Sequence, residues 1–312
     1  MSTGKSLRLF LADGSPGGLL TAEIMNWTGH VVAAPRSDLA ALLKRPEVSR
    51  TGIYILLGDD PDSLGNQLAY IGEGDDVGKR LYQHARSGEQ QGKDFWDRAV
   101  VLSSKDTNLT KAHARYLESR LIALAIEANR ARLTNSTAPA PISLPEADVS
   151  DMEYFVSQAK IVLPILGINI FRSTAIPLVA GLESRGPDQA LESPIFELEL
   201  SREGVHATAQ EVDGEFTVRA GSLARRAWVG AEGGYEQLRR KLEADGTLES
   251  SEGDKAMRFV HDEVFASPSA AAAVVLGRSA NGRNEWKAVG SRVSFGDWQT
   301  HLIEAGAQDA ES

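Results

Sequence analysis

The sequence predicts an α/β protein in two parts: a small central antiparallel sheet flanked by helices, then a smaller α+β domain. Three observations carry this prediction. Between Thr51 and Gly72 two short β-branched and aromatic segments frame a cluster of turn formers, and directly after Gly72 the apolar spacing changes to threes and fours. A stretch holding Pro139, Pro141 and Pro145 among small and polar residues has linker composition. Beyond it, from Ile195 to Ala220, alternating segments are separated by Arg-Glu-Gly and Val-Asp-Gly, the signals of an antiparallel meander.

The elements follow in order. Leu7 to Ala12 reads as a strand, leading through DGSPGG into an amphipathic stretch that ends near Lys44. The glycines form a turn and not a phosphate loop, because no Gly-Lys-Ser/Thr follows. Thr51 to Leu57 (TGIYILL) is a strand closed by GDDPDSLGN, and Leu68 to Gly72 (LAYIG) returns as the second arm of a hairpin. Val77, Leu81, His84 and Ala85 then share one helical face, with Lys79 and Arg86 away from it.

Phe95 to Leu102 is a third strand, and Asn108 is the expected N-cap of a long helix running to about Arg130. After the proline-bearing stretch, Met152, Phe155, Val156, Ala159 and Leu163 predict a short helix broken near Pro164. Past the meander, Tyr235 to Ala244 is a helix, Ser267-Pro268 supplies an N-cap and a first-turn proline for another, and Trp286 to Val289 is a closing strand. The expected organisation is an N-terminal extension (1–50), a first domain (51–135), a linker and helical connector (136–194), an accessory domain (195–300) and a tail (301–312).

Composition narrows the chemistry. The 312 residues are 42% apolar and 24% charged, which excludes disorder throughout. Cysteine is absent, so disulfides, thiolate zinc sites, iron–sulfur clusters and cysteine nucleophiles are excluded. No apolar run reaches the roughly 18 residues of a membrane span, and the opening MSTGKSLRLFLADG lacks a long apolar core, so no membrane partner and a cytoplasmic location are expected. The formal charge of −10 argues against a nucleic-acid partner, but residues 77–132 hold 11 Lys or Arg against 6 Asp or Glu. Screening over roughly 8–10 Å lets that segment act as a local basic surface.

Gly52-Ile53-Tyr54 in one strand, Tyr70-Ile71-Gly72 in the next, Arg80 eight residues later, His84 one helical turn further and Glu118 on the long helix together resemble the GIY-YIG nuclease superfamily. The resemblance covers roughly residues 51–135 and implies a small sheet on one face of which the tyrosines, arginine and glutamate converge. It implies a metal-dependent DNA endonuclease, with DNA as partner and Mg²⁺ or Mn²⁺ as cofactor held at Glu118. Arg80 offers a permanently charged fork for the phosphate. One of Tyr54 and Tyr70 activates water, and His84 relays the proton or orients a tyrosine. An Asn beyond the catalytic glutamate is expected at Asn135, with Asn129 as the other candidate.

The pattern departs from the family at Glu73, where repair-type members often have Lys. That acid, with Asp59, Asp60 and Asp62, motivates an alternative: a catalytically impaired protein of the same fold acting as a DNA-binding or protein-interaction module. Residues 267–287, SPSAAAAVVLGRSANGRNEWK, resemble the core of an uncharacterised C-terminal domain that accompanies GIY-YIG modules in bacterial proteins. They are also similar to a domain found beside restriction enzymes and adenine methylases. Arg278, Arg283 and Lys287, with Arg292, form a basic patch around Trp286 for DNA contact, or else Trp286 closes the small core while the cations stay solvated.

Overall fold

A strand buried on both faces reads as an unbroken apolar run, and Ile53 to Gly58 is such a run. It forms most of β4 (Gly52–Asp59), a central strand of a seven-stranded sheet. The computed structural model describes residues 4–61, 67–86, 92–106, 108–135, 142–172, 193–212, 214–251, 253 and 255–311, with side chains to residue 304. Asp62, Pro139, Pro141 and the connector residues 173–192 lie outside the described residues. The chain divides into two compact units, one spanning Thr3–Ser173 and the other Thr174–Ser312 with the first two residues.

In the first unit, β1 (Leu7–Leu11), β2 (Leu20–Ile24) and β3 (Gly29–Pro35) precede the short helix α1 (Leu39–Leu42). After β4 come β5 (Gln67–Gly74), α2 (Val77–His84), β6 (Arg98–Ser104), α3 (Lys111–Ala128), β7 (Ala131–Leu133) and α4 (Glu146–Ile165). The strand order is β1-β2-β3-β6-β4-β5-β7, antiparallel throughout except for the parallel β5–β7 pair. Residues 1–50, expected as an extension, therefore supply three strands of the sheet, and the amphipathic stretch before Lys44 holds β2 and β3. Alternation of side chains along β2 and β3, not a helical stripe, explains its mixed polarity.

Alternation also sorts the core. Ile53, Ile55, Ile71, Val100 and Leu102 point to the face covered by α3 and α4, where Leu117, Leu121, Phe155 and Val162 meet them. Tyr54, Leu56, Val101 and Trp96 point to the opposite face, against Val77 and Leu81 of α2 and Leu42 of α1. The helix expected around Met152–Leu163 is longer than its apolar stripe indicates, and its packing on β2, β3 and α3 makes it part of this unit and not a connector. Pro164 lies in its last turn. The cap of α3 is Thr110, not Asn108: its hydroxyl accepts from the His113 N–H while the His113 ring faces the Thr110 N–H, a two-way cap. Asn129 closes α3 in the left-handed conformation.

The second unit contains β8 (Phe196–Leu200), β9 (Val205–Val212), β10 (Glu215–Val218), β11 (Leu223–Arg225), α5 (Gly234–Ala244), β12 (Leu248–Ser250), β13 (Ala256–Phe259) and β14 (Glu263–Phe265). It ends with α6 (Pro268–Leu276), α7 (Gly282–Glu285), β15 (Lys287–Ala288) and α8 (Phe295–Glu311), so the expected tail is helical. All its strand pairs are antiparallel. The alanine-rich helix α6 is buried on every side from Ala270 to Leu276, as expected for a helix apolar all round. Ser267 caps it through the Ala270 N–H, as the Ser-Pro signal predicts. Among the described residues, no helix is long and apolar enough to cross a membrane.

Candidate active site

The site is built around the strand that carries Tyr70, Ile71 and Gly72. Tyr54 of β4 lies directly opposite Gly72 of β5. A methyl group at Gly72 would stand 2.4 Å from the Tyr54 hydroxyl oxygen, so only glycine lets the phenol lie across the strand. Gly52 is required for a parallel reason, since a Cβ there would meet the Leu102 carbonyl at 2.5 Å. The glycines of both tripeptides are thus explained by packing. Gly74 extends the pattern by making room for the Arg80 side chain.

Helix α2 places its residues over this strand from one side. Asp76 caps it, accepting from the Lys79 N–H. One turn apart, Arg80 and His84 face the phenols. The Tyr54 hydroxyl pairs with His84 Nε2 at 2.8 Å, and the Tyr54 and Tyr70 rings lie 5.5 and 5.2 Å from the imidazole. Arg80 and Tyr70 lie close enough to the Tyr54 hydroxyl to influence its ionisation. The Tyr54 side chain is completely buried, whereas Tyr70 is half-exposed and Arg80 exposed.

Burial dominates the electrostatics of this cluster. It pushes the Tyr54 phenol well above the ordinary tyrosine range, with neighbouring Tyr70 acting in the same direction. Burial, then the positive charges of Arg80 and Lys93, hold His84 down to about 4, so its ring is neutral at neutral pH. The His84 Nδ1 atom is buried with no hydrogen-bond partner.

The remaining two predicted residues sit along the free edge of β5. Strand β7 pairs only with Gln67 to Ala69, leaving the next rungs open. The Ala69 carbonyl accepts from the Thr134 N–H. At Ile71 the Asn135 amide takes over, accepting from the N–H at 3.1 Å and donating to the carbonyl at 2.7 Å. At Glu73 the backbone N–H is near enough to the Glu118 carboxylate to lower its pKa. Glu118 is half-buried, and burial followed by the charge of Glu73 raises its pKa above the usual carboxylate range. It lies close enough to Arg80 for their charges to interact.

Tyr54, Tyr70, Arg80, His84 and Glu118 therefore converge on one stretch of β5, and Asn135 sits behind them. Its amide is committed to the backbone of Ile71, so Asn135 aligns the strand and does not reach outward. Lys111 and Arg115 precede Glu118 on α3 at spacings of seven and three, and the charge of Lys111 reaches Glu118, but neither forms an ion pair with it. Both turn to Glu73, at 2.5 and 3.9 Å. Lys111 also approaches Asp75 at 3.4 Å. Among the described residues, no group of three or more His, Asp or Glu side chains forms a metal cage. Glu118 is one hard oxygen donor, a set that fits a Mg²⁺-type ion whose other positions are filled by water and phosphate oxygens.

Residues 196–298 match a family described as a domain of unknown function, DUF4357. This meets the expected resemblance of the C-terminal region to an uncharacterised domain. The family model covers the second unit only, and no GIY-YIG family model matches the chain. No curated protein and no solved structure matches it.

In that unit the expected basic and aromatic patch separates into its parts. Trp286 is fully buried, with its ring N–H donating to the Pro268 carbonyl at 3.0 Å, so it closes the core and is not free to stack on a base. Arg278 pairs with Glu285 at 3.0 Å, Arg283 donates to Gln299, and Lys287 is exposed. Asp60, one of the acids expected in an acidic loop, is buried and paired with Arg132 at 2.7 Å. Sequence reasoning passed over Lys93, whose ammonium stands 4.1 Å above the centre of the Tyr70 ring. Its only sequence signal was its place just before Phe95 and Trp96.

Proposed function

We propose that the first unit is a metal-dependent DNA endonuclease of GIY-YIG type, hydrolysing phosphodiester bonds at the site formed by Tyr54, Tyr70, Arg80, His84 and Glu118. The observation that carries this reading is the meeting of an exposed guanidinium, a half-buried carboxylate and a hydrogen-bonded Tyr–His pair on the Tyr70–Glu73 strand. A structural role for each residue alone would not demand that all five come together.

Phosphodiester hydrolysis needs a proton acceptor for the attacking water and positive charge at the phosphorus. A free phenolate is a poor candidate for the first, because an ordinary phenol is only about one part in a thousand ionised at neutral pH, and burial makes Tyr54 worse. A relay through neutral His84 avoids a free phenolate. Because His84 is held down to about 4, the proton rests there only transiently before returning along the same chain to the leaving oxygen. Tyr70 is the phenol at the surface and meets the water; Tyr54 lies behind it, and neutral His84 at the inner end accepts the Tyr54 proton. No tyrosinate accumulates in such a chain. Arg80 holds the non-bridging oxygens, and Glu118 holds the divalent ion, which when bound adds positive charge at the phosphate. Asn135 keeps the strand in register.

Incubation of supercoiled plasmid with the full chain and Mg²⁺ or Mn²⁺ tests the reading. Nicking or linearisation is expected, and Glu118→Ala or Arg80→Ala should each reduce its rate by about 10²–10³-fold. Equal cleavage by all three proteins would trace the activity to a contaminant. Binding of DNA by the native chain without cleavage would favour the impaired-module alternative.

A further inference from the structure

We propose that Lys93 is a second phosphate-binding cation of this site, gripping the nucleic-acid backbone on the Tyr70 side while Arg80 holds the reacting phosphate. The inference rests on the endonuclease reading above and adds a residue to it. Lys93 lies outside the helices and strands, in the segment between α2 and β6, where a lysine is ordinarily solvated. Here it is half-buried, and burial lowers its pKa.

Its backbone is fixed at both ends. The N–H donates to the His84 carbonyl at 2.9 Å, and the carbonyl accepts from Arg36 Nη1 at 3.3 Å. Arg36 also donates to the carbonyls of Ala85 and Trp96 and stacks over the Trp96 ring at 4.6 Å, fastening residues 93–96 to the end of α2. The ammonium group is thereby delivered over Tyr70 and not left to wander.

Among the described residues, no carboxylate lies within ion-pair distance of it. The charges facing this side of the site are Arg80 and Lys93 themselves, both of which depress His84. A half-buried ammonium that shares a face with a guanidinium and has a ring beneath it lacks one thing, an anion. A cation–π contact at a partly exposed site is a weak attraction, so the ring by itself is a weak reason to hold Lys93 there. A phosphate bridging the outer side of Tyr70 supplies the missing charge.

Lys93→Met, Lys93→Arg and Arg80→Ala forms of the full chain should be compared by fluorescence anisotropy with a labelled DNA duplex, using Ca²⁺ in place of Mg²⁺ over a series of salt concentrations. Lys93→Met should flatten the slope of log affinity against log salt by about 0.9, the value for one lost phosphate contact. Lys93→Arg should retain the native slope, and Lys93→Gln serves if the Met variant melts early. If Lys93→Met keeps the native slope and affinity while Arg80→Ala weakens binding, the assignment of Lys93 is overturned and the endonuclease reading stands. If the native chain neither binds the duplex nor cuts plasmid with Mg²⁺, both fall together.

Discussion

Two buried nitrogen-rich side chains, one in each unit, are treated in opposite ways. Arg239 in α5 is 2% exposed, and its donors reach the carbonyls of Val274, Arg225 and Arg226 and the carboxylate of Glu243. His84 in α2 is 8% exposed, yet one ring nitrogen has no partner and the other leans on a phenol. Arg239 is a staple with a hydrogen bond on every guanidinium nitrogen, joining α5 to α6 and β11. His84 is left short of hydrogen bonds with its pKa displaced, and such displaced groups gather where chemistry is done. The comparison teaches that burial of a polar group says little until its hydrogen bonds are counted.

Removing the staple should have the largest effect. Arg239→Met leaves several buried carbonyls unpaired and is expected to cost about 3 kcal/mol. Chemical denaturation followed by tryptophan fluorescence should show the loss in one of two transitions, with the first unit's transition unchanged. Loss in both transitions would mean that Arg239 is not a local staple.

The histidine makes the contrasting prediction. Its folded pKa of about 4 lies below the ordinary histidine value of 6.5, so the unfolded chain binds its proton more readily. The stability contributed by keeping His84 neutral is complete above about pH 6.5 and is lost as pH falls towards 4 and below. The total is about 3 kcal/mol from the pKa difference. His84→Gln should remove this acid-side dependence, as read from denaturation midpoints between pH 7 and pH 4. An unchanged profile would show that the ring is more solvated than the structure has it.

A smaller effect is expected at Gly72. A Cβ there must displace the Tyr54 ring, and overpacking of this kind costs about 1–3 kcal/mol. Gly72→Ala should therefore lower the thermal midpoint modestly and, on the proposed function, reduce plasmid cleavage more than stability alone explains.

Much of this site is legible without a structure, and the reasons are local. The two glycine–tyrosine tripeptides sit in strands that their β-branched neighbours announce, and Arg80 and His84 lie a helical turn apart on the same face. Glu118 lies beside the apolar stripe of α3, so its inward turn follows from helical spacing. Other features are not local. Asn135 has the place after the helix that the resemblance assigns to a site residue, but its amide is spent on Ile71. Lys111 and Arg115 satisfy the i−7 and i−3 spacings to Glu118, yet both prefer a carboxylate from another element. Trp286 gave the same sequence signal for a stacking platform as for a core residue, and its burial decided between them.

The amino-acid order by itself determined the β4–β5 hairpin, the helices α2, α3, α5 and α6 and the facing of their side chains, because periodicity and φ/ψ preferences act over a few residues. Only the tertiary structure decided that β1–β3 belong to the same sheet, that Asn135 occupies an open rung of β5 with Glu118 beside Glu73, and that Lys93 stands over Tyr70. Those outcomes depend on which distant backbone hydrogen bonds remain unpaired and which charges come within a few ångströms, and no spacing along the chain encodes such distances.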